Sequence, residues 1–334
     1  MGFFNKLKDG ATFRAERFAL RDEVRPVTDP LEIYAEAGDL TQLVAAGDWA
    51  GLGAFLATLD DEDRAWALHY TLELGGGVHK LIERAAAAAP DDLEAAAMLG
   101  ASLVVRGWAV RGGGYSSTVG EDAFEVFHDH LRRAEAMFLG VLSREPANLT
   151  AGIWRLTSGR GLQVGLNEIT RRYEQFAEAH PHHYRAQAQV LQALYPKWYG
   201  TWESAHAFAL RCAESSPPGS PNAGLVADYH LERWWNHDKA EGLYFTPGVR
   251  ADIVRAADHS VLHSDYQAPL GWATLHGMFA LCLCFSEEWA RADRQFDALD
   301  NRMAKSPWDL FSDPELMYVD MRFRARHAGR VPAR

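Results

Sequence analysis

The chain has 334 residues, of which 48% are hydrophobic and 24% are charged, as in an ordinary soluble globular protein. It carries 34 Lys and Arg residues against 45 Asp and Glu residues, which gives a formal net charge of −11 at pH 7. A chain this acidic has no general attraction for phosphate backbones, so we expect no nucleic-acid partner.

Residues 1–26 differ in composition from the rest of the chain, because phenylalanines there alternate loosely with basic residues. Such a segment can form an amphipathic helix that contacts a membrane surface or a partner. The alternative is an arm packed on the first helical repeat, and Gly10, which interrupts the pattern, favours it. We find no apolar signal-peptide core at this end.

Strong helix-start signals follow. Asp29-Pro30 combines an N-cap with a proline at the first helical position. Three helices are predicted near residues 30–46, 48–58 and 61–74, with N-caps at Asp29, Asp48 and Asp60. A further helix from Val78 to Ala88 ends before Pro90, and Asp91 with Glu94 predicts the start of the next one.

Residues 107–121 interrupt the helical pattern with three consecutive glycines, from Gly112 to Gly114. Thr118 and Glu121 form a capping box that predicts the start of the next helix. The stretch lacks the G-x-x-x-x-G-K-[ST] pattern of phosphate loops and follows no strand. We therefore do not predict a nucleotide site here.

Residues 184–217 contain the clearest helical hairpin. The sequence predicts a helix from Tyr184 to Leu194, a turn from Pro196 to Gly200 and a second helix from Trp202 to Glu214. The unit is about 34 residues long, which is the length of a tetratricopeptide repeat.

The second half of the chain continues with helices. They are predicted over residues 223–237, from Thr246 to about Val261, and over 269–285 and 287–303. Ser306-Pro307 and Asp313-Pro314 predict two short helices before a basic tail. We divide the chain into an N-terminal arm (1–26), a helical-repeat domain (27–305) and a C-terminal segment (306–334).

Helix-ending prolines recur along the chain. Pro90, Pro146, Pro181 and Pro217 each follow an apolar helix. Twelve, eight and five residues before each proline lie small or apolar residues that share one helix face. These residues are Val78, Ile82 and Ala85; Ala134, Phe138 and Val141; Ile169, Tyr173 and Phe176; and Ala205, Ala209 and Cys212.

This pattern resembles the second helix of tetratricopeptide repeats, which shows A-x3-F and then P. Leu99, Gly100 and Leu103 match part of the first-helix pattern, and so do Trp272, Leu275 and Phe279. The resemblance implies an all-α fold, a tetratricopeptide-like α-solenoid of antiparallel helix pairs.

Two motifs also resemble an uncharacterised bacterial family, domain of unknown function 4034. Residues 111–119 resemble its R-G-x-G-Y-x-x-T-V segment, and residues 196–202 resemble its P-K-W-G-G-S segment, with Tyr199 and Thr201 as departures. The resemblance covers roughly residues 60–300. That family has no established activity, so the resemblance implies fold more than function.

The sequence contains no recognisable catalytic motif or metal-binding motif. His259 and His263 have a spacing that can hold zinc, but the H-E-x-x-H pattern is missing. His180, His182 and His183 surround a proline and are expected in a solvated turn, and His128 and His130 face different sides of a helix. Neither a catalytic residue nor a metal or cofactor is predicted.

The number and positions of the cysteines indicate the redox state of the cellular compartment. Cys212, Cys282 and Cys284 are an odd number of cysteines in apolar helical stretches. We expect buried packing and a reducing cytoplasm, not a disulfide framework.

One surface remains as a candidate binding site. It comprises Arg111, Tyr115, Lys197, Trp198, Tyr199 and Trp202. Aromatic and arginine side chains are typical interface anchors. The alternative is structural: the tryptophans seal the hairpin, Gly200 permits the turn and Lys197 is solvated.

The favoured hypothesis is a non-catalytic interaction or scaffold protein that binds a peptide or protein segment on its concave face. A second hypothesis is a small-ligand binder or enzyme that uses the glycine-rich loop 111–121. A third is membrane contact through residues 1–26. The sequence does not determine the oligomeric state.

Overall fold

A computed structural model describes residues 25–75, 77–112, 121–236 and 244–328. Within these ranges the chain has sixteen α-helices and two short 3₁₀ helices. The only strand-like pairing among the described residues is an isolated bridge between Val27 and Arg302. The predicted all-α class is confirmed.

The helices α1 to α16 are numbered in chain order. They span Pro30–Ile33, Ala35–Ala46, Trp49–Leu56, Asp61–Glu73, Val78–Ala88, Leu93–Arg111, Glu121–Arg144, Leu149–Gly161, Leu166–Ala177, Tyr184–Leu194, Trp202–Ser215, Gly224–Asn236, Pro247–His259, Trp272–Phe285, Trp289–Leu299 and Pro314–His327. The 3₁₀ helices span Pro221–Ala223 and Trp308–Leu310.

The aspartate N-caps predicted for the first helices are confirmed. The carboxylates of Asp29, Asp48 and Asp60 each accept a hydrogen bond from a backbone N–H in the first turn of the helix that follows. The start of α6 differs from the prediction by one residue. Asp92 is its cap, and the neighbouring Asp91 instead pairs with Arg144, at 3.0 Å.

Several boundaries in the second half also differ from the prediction. Helix α14 begins at Trp272, because Gly271 adopts a left-handed conformation with φ of 89°. Helix α15 ends at Leu299, where Asp300 has φ of 44°. Ser306-Pro307 precedes only a 3₁₀ turn, whereas the helix after Asp313 is 14 residues long.

The chain divides into two compact units. The described residues of 35–205 form the central unit, and the described residues of 1–34 together with those of 206–334 form the terminal unit. The division falls within α11. The domain borders placed after residues 26 and 305 stay predictions, and residues 1–24 lie outside the described part of the chain.

The predicted helix face is largely buried. Of the twelve positions that precede the four prolines, ten are buried, and only Ala85 and Tyr173 are half-buried. Glycines allow neighbouring helices to approach these residues closely. A Cβ atom on Gly100 would lie 2.7 Å from the Phe138 ring, and one on Gly152 would lie 2.4 Å from the Phe176 ring.

Within the central unit, α4 contacts not only α6 but also α8 and α10. The first turn of α4 meets the N-terminal end of α10. There Asp61 Oδ2 lies 2.7 Å from His180 Nδ1, and Glu62 accepts a hydrogen bond from the backbone N–H of Tyr184. This contact joins residues that are more than a hundred positions apart in the sequence.

The terminal unit is built around α14, of which every residue from Leu275 to Phe285 is buried. Cys282 and Cys284 lie on this helix, and Cys212 lies on α11. All three cysteines are free and buried, as expected. Burial raises the pKa of each thiol, that of Cys212 to about 12.

One helix in the described ranges, α6, is long and apolar enough to cross a membrane by length and composition. Half of its apolar window is buried inside the protein. The core helix of a soluble protein passes the same test, and α6 packs in this way against α7 and α8.

Candidate functional site

The described residues of the predicted binding surface lie at helix ends in the central unit. Arg111 is the last residue of α6, and Trp202 is the first residue of α11. Lys197, Trp198 and Tyr199 lie in the turn after α10. Tyr115 and most of the glycine-rich loop, residues 113–120, lie outside the described residues.

The two segments meet through an aromatic–arginine stack, formed by Trp108, Arg160 and Trp198. The guanidinium carbon of Arg160 lies 5.6 Å from the ring centre of Trp108 and 5.5 Å from that of Trp198. The two indole rings meet edge to face, with centres 6.0 Å apart. Arg111 adds a second cation, 5.2 Å from the Trp108 ring centre. A cation over the face of an indole ring is attracted electrostatically by that ring.

The stack forms because three helices end side by side. Trp108 and Arg111 belong to the last turn of α6, and Arg160 belongs to the last turn of α8. Cations are favoured at helix C-termini by the helix dipole. Trp198 reaches the stack from the turn after α10, and the Tyr199 hydroxyl donates a hydrogen bond to the carbonyl of Arg160 at 3.1 Å.

Arg160 stays cationic at neutral pH although burial lowers its pKa to about 10. Its Nη1 donates to Gln189 Oε1 at 2.9 Å. Among the described residues, the buried Nε of Arg160 and the buried indole Nε1 of Trp108 have no hydrogen-bond partner. Both atoms are donors, which an acceptor group would satisfy.

The other two predicted residues contact a different ring. Lys197 Nζ lies 5.4 Å from the ring centre of Tyr195, and the Trp202 ring centre lies 5.7 Å from that of Tyr195. Lys197 is exposed, whereas Trp198 and Trp202 are half-buried. The tryptophans thus have the packing role foreseen in the structural alternative, while Lys197 is exposed at the edge.

Exposed apolar side chains occur on α6 and α7, the helices that carry Trp108 and its ring neighbour Phe127. Val110 on α6 is 46% exposed, and Val126 on α7 is 43% exposed. The end of α6 lies against the start of α7, since a Cβ atom on Gly107 would contact Phe127 and His130 at 3.3 Å. Apolar groups beside cations and indole rings are the composition expected of an interaction surface.

The histidines considered from the sequence make other contacts in the structure. His263 lies beyond the end of α13, and His259 Nε2 contacts the carbonyl of Ser216 at 3.2 Å. The expectation of a solvated turn at residues 180–183 is wrong for His183, which is 3% exposed. It is buried because it caps α10 and packs edge to face on Phe176.

A different set of potential metal ligands comes together in the terminal unit. This histidine–aspartate cluster consists of His206 on α11, His230 on α12 and Asp252 on α13, with ligand atoms all within 4.8 Å of one another. Burial lowers the pKa of His230. No sequence pattern indicates the cluster, because its neighbouring members are more than twenty residues apart and match no metal-binding spacing.

Comparison with known proteins identifies no relative: no protein-family model, curated protein or solved structure matches the chain. The resemblances to tetratricopeptide repeats and to domain of unknown function 4034 therefore stay expectations that depend on the quoted motifs. Function has to be inferred from geometry and chemistry.

Proposed function

We propose that this chain is a non-catalytic protein-interaction module with a tetratricopeptide-like architecture, an α-solenoid of antiparallel helix pairs. The buried face that recurs before each proline supports the repeat. The close contacts of Gly100 with Phe138, and of Gly152 with Phe176, support antiparallel pairing of α6 with α7 and of α8 with α9. Small residues opposite large ones are what such helix pairs need in order to pack closely.

The observation that carries the proposal is the aromatic–arginine stack. It joins residues 107–112, the described beginning of the stretch 107–121 that the sequence singles out, to the turn at residues 196–202, near the C-terminal ends of α6, α8 and α10. Arg111 and Lys197 supply positive charge there, in a chain whose net charge is −11. Charge complementarity therefore favours a peptide that carries carboxylates next to apolar side chains.

The peptide is placed along these helix ends and not deep in the expected concave groove. Where α4 meets α10, the central unit makes polar contacts of its own, Asp61 with His180 and Glu62 with Tyr184. The C-terminal end of α6, by contrast, has an exposed valine, Val110, and the turn after α10 has an exposed lysine, Lys197.

The test is charge reversal at the surface, Arg111→Glu with Lys197→Glu. We expect a partner captured by the wild-type chain from its native host to be lost from this variant. A synthetic peptide from that partner should bind at least about 10-fold more weakly to the variant, which corresponds to about 1.4 kcal/mol. Isothermal titration calorimetry measures the affinity, and circular dichroism shows whether the fold is intact.

The matched control is Lys80→Glu with Arg132→Glu, which makes the same charge change at two exposed positions of the central unit, on α5 and α7. It should bind like the wild type. Equal loss in both variants would point to a nonspecific electrostatic effect. If the wild-type chain binds no protein or peptide specifically, the proposal of an interaction module is wrong.

A further inference from the structure

We propose that the histidine–aspartate cluster binds a divalent first-row transition metal ion through His206 Nε2, His230 Nε2 and Asp252 Oδ2. The three side chains come from three successive helices of the terminal unit, α11, α12 and α13. This site is independent of the proposed peptide-binding surface, whose residues belong to the central unit.

The donor set matches this class of ion. Two imidazole nitrogens and one carboxylate oxygen are ligands that Zn²⁺ and Fe²⁺ take in proteins, usually with a further position left for water. Imidazole is a poor choice for Mg²⁺ or Ca²⁺, which prefer sites made of oxygen ligands. The cluster therefore favours a transition metal over the abundant hard cations.

Two of the three separations fit a shared ion, and all three ligand atoms lie within 4.8 Å of one another. Asp252 Oδ2 lies 3.0 Å from His206 Nε2 and 3.7 Å from His230 Nε2. Ligand atoms around a tetrahedral zinc ion, with bonds of about 2.0–2.1 Å, are separated by about 3.3 Å. The two observed distances lie on either side of that value.

A second observation points to a ligand. The side chain of His230 is almost completely buried, and its Nε2 has no hydrogen-bond partner among the described residues. At 3.7 Å the Asp252 oxygen is too far away to accept a hydrogen bond from it. Leaving a buried polar atom unsatisfied is costly, and an ion between His230 and Asp252 would satisfy it.

The outer contacts are those that a metal site requires. The other ring nitrogen of His230, Nδ1, lies 2.7 Å from the Tyr244 hydroxyl, a contact that fixes the ring orientation. Arg255 contacts Oδ1 of Asp252, which directs Oδ2 toward the histidines. His206 stacks on Tyr229, with ring centres 4.7 Å apart and planes inclined by 15°.

One side of the cluster is open. The side chain of His206 is 32% exposed, whereas those of His230 and Asp252 are 2% and 15% exposed. An ion can therefore enter past His206 and keep a position for water or another small ligand on that side.

The test uses the full-length chain, stripped with a chelator, and Zn²⁺ alone as the probe. We expect one tight site per chain by isothermal titration calorimetry. His206→Ala and Asp252→Asn should each weaken that site by about 100-fold or more, because even the loss of an outer contact weakens metal binding by about 10–100-fold. Co²⁺ at the wild-type site should give intense visible absorption bands, which neither variant should show.

The control is His259→Ala with His263→Ala, which removes two histidines of the same unit that lie outside the cluster and should leave the tight site unchanged. Equal weakening in this control, or Zn²⁺ binding that His206→Ala does not alter, would identify adventitious histidine binding and overturn the proposal. If the Asp252→Asn variant does not fold, the Zn²⁺ affinity of the His206→Ala variant is the test, because the His206 side chain is partly exposed and its loss should leave the fold intact.

Discussion

Gly200 is needed because of a close backbone contact. A Cβ atom at this position would lie 2.2 Å from the carbonyl oxygen of Leu194, the last residue of α10. The sequence predicts a turn-permitting glycine here, and the structure adds that its missing side chain lets the turn fold back onto the helix end. Trp198 reaches Arg160 from this turn, so the shape of the turn also determines the shape of the stack.

We expect Gly200→Ala to lower the free energy of unfolding by at least about 2 kcal/mol, because the backbone atoms it would strike cannot move aside cheaply. Gly53→Ala is the matched control. Gly53 is exposed on α3 and a Cβ atom there meets nothing within 4 Å, so this change should stabilise the protein by about 0.5–1 kcal/mol. Urea denaturation measures both, and equal effects would contradict the steric explanation.

Glu62 predicts a pH dependence of stability. Burial raises the pKa of this carboxyl from 4.5 to about 7, although the hydrogen bond from Tyr184 N–H lowers it. The folded protein therefore keeps a proton that the unfolded chain releases between about pH 4.5 and pH 7. The stability associated with this proton is fully present below about pH 4.5 and is lost as the pH rises through about 7.

Glu62→Gln keeps the acceptor for Tyr184 but cannot ionise. We expect it to be more stable than the wild type by about 1–2 kcal/mol near pH 8.5, and nearly equal to it near pH 5. The difference is smaller than the full pKa shift implies, because 27% of the side chain is exposed. Burial lowers the pKa of the neighbouring His183 to about 4, but that histidine is present in both proteins.

Denaturation curves of the two proteins at both pH values give the comparison. Glu83→Gln, at an exposed position on α5, serves as the control and should show no such pH-dependent gain. A gain for Glu62→Gln that is the same at both pH values would show that the carboxyl does not titrate as described.

At the scale of elements, close approach of helix pairs depends on glycine opposite phenylalanine. Gly100 on α6 faces Phe138 on α7, which is completely buried. The same arrangement recurs between Gly152 on α8 and Phe176 on α9. A larger residue at either glycine would push the two helices apart or force the ring from its rotamer.

Gly100→Ala should therefore cost about 1–3 kcal/mol of stability, despite the higher helix propensity of alanine. Phe138→Leu should relieve the clash, so that the double variant is more stable than the sum of the two single effects predicts. A double-mutant cycle measures that coupling, expected to be about 0.5–3 kcal/mol. Additive effects would show that the two residues do not restrict each other.

Gly38→Ala on α2 is the control for this cycle, since a Cβ atom there meets nothing within 4 Å. It should be neutral or stabilising. Destabilisation of similar size at Gly38 would indicate a general intolerance of these helices to glycine replacement and not a specific contact.

On the scale of the whole molecule, the two candidate sites belong to different compact units. The aromatic–arginine stack lies within residues 35–205, and the histidine–aspartate cluster lies within residues 206–334. Each proposal thus has its own variants and its own readout, peptide affinity for one and metal affinity for the other. A negative result for peptide binding would not contradict the proposed metal site, and a negative result for metal binding would not contradict the proposed peptide-binding surface.

The sequence by itself determined the all-α class, most helix boundaries and the buried face that precedes each proline. These features depend on signals within a few residues. One is an aspartate that accepts a hydrogen bond from a backbone N–H of the next turn, and another is a set of apolar residues that recur every three to four positions. Where the prediction missed, as at Pro269, the helix start depended on a left-handed glycine that the local pattern does not reveal.

The tertiary structure alone decided which distant side chains meet. Trp108, Arg160 and Trp198 come from three helix ends, and His206, His230 and Asp252 come from three helices. Their meeting depends on helix lengths and crossing angles, which many buried contacts set together. The spacing of residues along the chain does not reveal those angles. Trp198 could therefore be predicted as a candidate from a local motif, but the histidine–aspartate cluster could not be predicted.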